Sequence, residues 1–158
     1  MPIEVINTGS LINGSITRRN FQITSNGTHR LTGTTLLNSN GFTYQQNTQG
    51  DRLIATSAGG AGEYIANCYM NIPLTGKPMF NYSFHMCLYQ NETLFMETSS
   101  NLTSSRSYDR ETVSLCSPLD TGVAIDDYFY VLFTITMPSD ETITIEDARF
   151  GLFKLENT

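Results

Sequence analysis

Tryptophan is missing from this sequence, lysine occurs only at Lys77 and Lys154, and charged residues make up just 15% of the chain. Each shortage excludes something. Binding to nucleic acid needs clustered basic side chains to neutralise phosphates, and nine scattered Lys and Arg in a chain of net charge -6 do not supply them. Crossing a membrane as a helix needs about 18 consecutive apolar residues, and no run comes close. The opening MPIEVINTGS has no basic stretch followed by an apolar one, so no export signal is expected and synthesis in a cytoplasm is. Neither nucleic acid nor membrane is therefore an expected partner.

Chemistry-bearing motifs are also scarce. The two histidines, His29 and His85, lie far apart, and there is no G-x-S-x-G, no H-E-x-x-H and no phosphate-binding loop. The run Gly59-Gly60-Ala61-Gly62 is a turn between strands, because no helix follows it to receive a phosphate. No enzyme is expected. The three cysteines, Cys68, Cys87 and Cys116, are odd in number and lack the short spacing of a zinc motif, so they read as free thiols in a reducing compartment. Five N-x-S/T triplets, at Asn13, Asn26, Asn81, Asn91 and Asn101, follow from a composition rich in Asn, Ser and Thr.

What the chain does have is alternation. In MFNYSFHMCLYQ, Phe80, Tyr82, Phe84, Met86 and Leu88 form one row, and Asn81, Ser83, His85, Cys87 and Tyr89 the other. In DYFYVLFTITMP, Phe129, Val131, Phe133, Ile135 and Met137 alternate with Tyr128, Tyr130, Leu132, Thr134 and Thr136. A Pro-Ser-Asp turn then leads to a second long strand, and the pair is expected to close the domain as antiparallel strands, with Glu146-Asp147 acting as a bulge. Similar segments recur between Gly, Asn and Pro turn signals, and helical periodicity is nearly absent. The fold expected is all-β: a two-sheet antiparallel β-sandwich of eight to eleven strands, jelly-roll-like, in one compact domain. Residues 41–158 form the sandwich. Residues 1–40, with Phe21 their single aromatic, read as a polar N-terminal arm or edge strands, ordered by contacts with another chain.

The succession GFTYQQN, DRLIATS, a Gly-rich turn into EYI, IPLTGKPMFNYSFHM and ITIEDARFGLFKLE resembles the jelly-roll modules of the galactose-binding-like type. These include carbohydrate-binding modules and repeats of bacteriophage tail and capsid-associated proteins. That resemblance implies a structural calcium near the last strand, with Asp147 as its ligand, and no other cofactor. A second resemblance is to trimeric jelly rolls of the tumour-necrosis-factor and complement-C1q shape, which also finish on a long hairpin. The first places a ligand on a sheet face or loop tip, the second at a subunit seam.

Two uses of the polar faces follow. Sugar binding needs flat rings with amides and charges around them, which Asn81, His85, Tyr89, Arg106, Tyr108, Arg110, Tyr128 and Tyr130 could supply, although tryptophan is absent. Protein contact favours Tyr, Phe, Met and Arg over Lys and Glu, which is this chain's bias. The reading preferred is a non-catalytic structural protein of a virus particle, of the phage type, made in the host cytoplasm. It would decorate a capsid or form part of a tail or fibre appendage, with copies of itself and other virion proteins as partners. The alternative is a carbohydrate-binding or host-receptor-binding module, with a glycan as ligand.

Overall fold

A strand with one apolar row must bury that row, and two sheets facing each other are the simplest way to do so. The computed structural model describes residues 12–57, 61–74, 81–103, 110–119, 122–137 and 142–155, the side chains of 81, 103 and 110 excepted. Among them are eleven strands: β1 (Asn13–Ile23), β2 (Gly27–Arg30), β3 (Thr35–Asn40), β4 (Phe42–Gln45), β5 (Arg52–Ala55), β6 (Tyr64–Pro73), β7 (Asn81–Gln90), β8 (Thr93–Thr103), β9 (Arg110–Pro118), β10 (Tyr128–Thr136) and β11 (Ile143–Lys154). All named pairings are antiparallel. The first sheet runs β3-β1-β11-β6-β9 and the second β4-β5-β10-β7-β8. No helix of the described residues is long and apolar enough to cross a membrane. The protein is an all-β jelly-roll-like sandwich.

The centre of the second sheet is the pair β7–β10, with Phe84 opposite Ile135, Met86 opposite Phe133 and Leu88 opposite Val131. All six are buried, as are Tyr82, Phe129 and Met137, and the rings of Phe84 and Phe133 stack at 5.8 Å. Phe80 lies outside the described residues. Facing this pair, β6 and β11 of the first sheet turn inward Tyr64, Ala66, Cys68, Met70 and Ile72, and Ile143, Ile145, Ala148, Phe150 and Leu152. The Cys68 thiol meets the Met86 thioether at 3.3 Å across the two layers.

Three expectations need correction. The two long C-terminal strands are not hydrogen-bonded neighbours: β10 lies in one sheet and β11 in the other. Each carries a full apolar row, and two such rows bury most area when they face each other across the core rather than lie side by side. The chain therefore changes sheets between Met137 and Thr142.

Nor are residues 13–31 an arm. β1 sits inside the first sheet, paired with β11 from Asn13–Phe153 to Ile23–Ile143 and with β3 on its other side. The few apolar residues of this region, Ile16, Phe21, Ile23 and Leu31, all point inward. Four are enough, because only one face of the strand is dry. β3, by contrast, is an exposed edge strand, with Leu36 and Leu37 partly open to solvent. Residues 1–11 lie outside the described residues.

At Glu146-Asp147 the structure has a paired change of phase instead of a one-sided bulge. The buried row of β11 steps from Ile145 to Ala148, and that of β1 from Ile16 to Phe21. The register does not slip, since Arg19 faces Asp147 and Phe21 faces Ile145 at the same offset. Asn20, with a φ of 51°, absorbs the turn, a conformation Asn tolerates better than most residues. Both strands therefore rotate together.

Loops close the ends of the sandwich. The buried Asp51 carboxylate accepts the Thr34 hydroxyl at 2.6 Å, the Thr34 N–H at 2.8 Å and the Asn47 N–H at 3.0 Å. Gly14 admits the Phe42 ring, which would stand 2.9 Å from a Cβ at that position. Replacing Phe84 by Ala removes a fully buried ring from the central pair and is expected to cost about 3–5 kcal/mol in urea unfolding.

Candidate functional site

The inner faces of the two sheets are filled by the core, so the grouped polar and aromatic side chains of the strands lie on the outer faces. On the second sheet, the outward row of β7 and the outward row of β10 come side by side, because Tyr89 pairs with Tyr130 and His85 with Thr134. Period 2 then aligns Tyr128 with Tyr130. The three rings form a ladder: Tyr89 and Tyr130 stack at 5.2 Å and 6°, Tyr130 and Tyr128 at 6.2 Å and 15°. The Arg52 guanidinium caps it, 4.3 Å above the Tyr128 ring and 5.5 Å from that of Tyr130. The Arg52 Nε is buried without a hydrogen-bond acceptor, so the ring below is its compensation.

Glu92, at the turn between β7 and β8, closes the top of this ladder. It accepts the Tyr128 hydroxyl at 2.5 Å and the Tyr130 hydroxyl at 3.2 Å. The Tyr128 bond is the main reason that the Glu92 carboxyl sits below its ordinary pKa, with Tyr130, Arg52 and Arg30 adding to it. The same bond pushes the Tyr128 phenol up, and burial followed by the Glu92 charge does so for Tyr130. Gly50, at a φ of 123°, lies over Tyr130, where a Cβ would stand 3.2 Å from the ring. Tyr130 is left 5% exposed.

Beside the ladder, Asp127 holds the loop before β10 against the turn after β7. Its carboxylate accepts the Asn91 and Gln90 amides, both at 3.0 Å, and the Ala124 N–H at 2.8 Å. Burial works against its ionisation, but these three donors outweigh burial and hold the carboxyl below its usual value. The Asn91 amide also accepts the Tyr128 N–H, and the Asn26 amide brackets the backbone of Met137. Two of the five N-x-S/T asparagines thus serve as structural clasps.

Farther along the same face, His85, Cys87 and Glu97 meet. The imidazole Nε2 is 2.9 Å from a Glu97 carboxylate oxygen and 3.6 Å from the Cys87 sulfur. Cys87 is only 9% exposed although it points outward, and burial and then the Glu97 charge raise its pKa. The other histidine is structural: His29 stacks on Phe133 and its Nε2–H donates to the Ser25 carbonyl at 2.8 Å.

The outer face of the first sheet differs. Asp147 receives the Thr17 hydroxyl at 3.0 Å and the Tyr69 hydroxyl at 3.1 Å, with Arg19 at 3.9 Å. Its oxygens thus face hydrogens and a cation, not the ring of lone pairs that calcium requires. Next to it, Gly151 floors a hollow of about 300 Å³ walled by Ser15, Asn38, Asn67, Tyr69, Arg149 and Phe153. Phe153 is 45% exposed at its rim.

Of the residues expected to bind a ligand, the structure brings together Tyr89, Tyr128 and Tyr130, with His85 four residues along β7 from Tyr89. Arg106 and Tyr108, and the side chains of Asn81 and Arg110, lie outside the described residues. Sequence reasoning missed Arg52, Glu92 and Glu97, which reach this face only through strand pairing. The one cue was Asn91-Glu92, a turn signal at the end of β7.

No family model matches the sequence, and no curated protein matches it. Among solved structures, the chain is similar to the Eiger TNF of S. frugiperda, with a TM-score of 0.55 and 8% identity over 94% of this chain and 95% of that one. At that identity the likeness is one of fold.

Two outcomes follow from the site chemistry. The Asp127 contribution to stability is present above the ordinary carboxylate pKa of about 4 and is lost as pH falls through the lower folded value. Acid unfolding followed by circular dichroism should show Asp127→Asn less stable than the parent near neutrality, with the gap closing in acid. The three thiols are unpaired, Cys68 and Cys87 buried and Cys116 exposed, and burial pushes Cys68 up to about 12. Thiol titration without reductant should find one fast-reacting group in the native protein and three in denaturant; one in denaturant would mean a disulfide.

Proposed function

We propose that the protein is a non-catalytic structural protein of a virus particle of the phage type, decorating a capsid or forming part of a tail or fibre appendage. It works by contact with copies of itself and with other virion proteins. The observation that carries this reading is the outer face of the first sheet. Two hollows open there, one over Gly151 and one of about 600 Å³ bordered by Asn71, and the rim presents Phe153 among amides and hydroxyls, with Arg19 and Arg149 balancing Glu146 and Asp147 in charge. A face of that kind is the neutral, partly apolar surface that protein contacts use. The resemblance to trimeric jelly rolls of the tumour-necrosis-factor shape supports a symmetric assembly. Free thiols agree with synthesis in a reducing cytoplasm.

The glycan-binding alternative needs a ring face open to a sugar. Tyr130 is 5% exposed, with its ring against Tyr89 and Tyr128 and the Arg52 guanidinium 5.5 Å away, so it offers no open face, and the same guanidinium lies 4.3 Å from the Tyr128 ring. That favours contact by surfaces over contact by a sugar groove.

Light scattering at micromolar concentration is expected to give a symmetric oligomer instead of the 17.6 kDa monomer. Gly151→Lys, whose Cβ would stand 3.4 Å from Phe153 and Ser15, should dissociate it, and the melting temperature of the variant shows whether the fold is kept. A monomer that neither assembles nor joins particles, and that binds a defined glycan until Tyr89 is replaced by Ala, would overturn the proposal.

A further inference from the structure

His85, Cys87 and Glu97 offer one imidazole nitrogen, one thiol sulfur and one carboxylate oxygen, and these donor atoms all lie within 4.8 Å of one another. Among the described residues they are the one such group of three. Their meeting is a consequence of sheet geometry. His85 and Cys87 are two apart on β7 and so share a face, and Glu97 of β8 stands directly opposite Cys87 in the ladder. No sequence motif announces this, since the third donor arrives through strand pairing.

We propose that this triad is a binding site for a divalent transition-metal ion of the zinc type. Zinc bonds of about 2.0–2.3 Å to N, O and S place tetrahedral donors about 3.3–3.7 Å apart. The sulfur stands 3.6 Å from the imidazole Nε2, within that range, and the carboxylate oxygen is at 2.9 Å, where a shared proton now joins it to the ring. Exchange of that proton and of the thiol proton for the cation lets the oxygen move back by a few tenths of an ångström. A thiolate beside an imidazole selects zinc and its neighbours over calcium or magnesium, which prefer all-oxygen surroundings. Arg30, in the same cross-strand row beyond Leu132, directs its guanidinium to the Gln49 carbonyl at 3.0 Å.

His85 and Glu97 are both partly exposed, so the fourth coordination position faces solvent and takes water or a donor from another molecule. The bound ion would clasp β8, the outer strand of the second sheet, to β7.

Cobalt(II) and zinc(II) chloride, added to the full chain kept reduced, test the site. Cobalt should give a thiolate-to-metal charge-transfer band that saturates at one ion per chain, and zinc should displace it and raise the melting temperature with concentration. Cys87→Ser should abolish the band. Glu97→Gln and His85→Gln should each weaken zinc binding by more than the ~10- to 100-fold that loss of a supporting group costs. Cys116→Ser should leave the titration unchanged. Melting temperatures in the presence of chelator show that each variant is folded, and because Glu97 is exposed its variant serves if Cys87→Ser is not. The proposal is overturned if no charge-transfer band forms, if the band survives Cys87→Ser or follows Cys116, or if zinc leaves the melting temperature unmoved. His85 and Glu97 would then be an ion pair and nothing more.

Discussion

Everything on the surface of this protein is positioned by one dry layer, in which β7 and β10 of the second sheet face β6 and β11 of the first. Side chains alternate with period 2, so a slip of one residue in any of these strands would carry its whole apolar row into water. The Phe84–Phe133 stack and the contact of Cys68 with Met86 pin the layer from both sides. With the inner rows locked, the outer rows have no freedom left. Tyr89 must stand beside Tyr130, and Cys87 must stand opposite Glu97.

Polar order compensates for a scarcity of charge. With charged residues at 15%, the molecule relies on amides, hydroxyls and a few well-placed carboxylates. Asp51, Asp127 and Asp147 each collect donors from segments distant in sequence, and each ties a loop or strand to its neighbour. A carboxylate that accepts several hydrogen bonds repays its desolvation, and its removal would leave the donors without partners. The outer faces of the two sheets differ as a result. The second presents stacked rings, with the Tyr128 and Tyr130 hydroxyls held by Glu92, and the first presents hollows with an apolar rim.

Much of the fold was legible in the residues. The segments now seen as β4 to β11 were all marked by alternation and turn residues, and the inward rows of β7 and β10 were read correctly residue by residue. The first half of β1 was not, because Asn13 to Arg19 holds Ile16 as its only large apolar side chain. A stretch whose buried residues are Gly14, Ser15 and a single large apolar side chain carries almost no periodic signal. The placement of β10 and β11 in opposite sheets was missed for another reason: a short turn between two alternating runs reads as a hairpin whether or not the strands pair. Of the site, Tyr89 and the pair Tyr128 and Tyr130 were legible as outward residues of two separate strands, whereas their meeting, and Arg52, Glu92 and Glu97, were not.

By itself the sequence determined the class of the protein, an all-β sandwich with buried apolar rows and few charged side chains, since periodicity and composition are local properties that a single strand displays. The tertiary structure alone decided which strands are neighbours. Pairing is set by the competition among all strands for the dry layer, and no local pattern records its outcome. The tyrosine ladder under Arg52, the clasp at Asp127 and the meeting of His85, Cys87 and Glu97 exist only across strand boundaries. For that reason the chemistry of the surface had to wait for the fold.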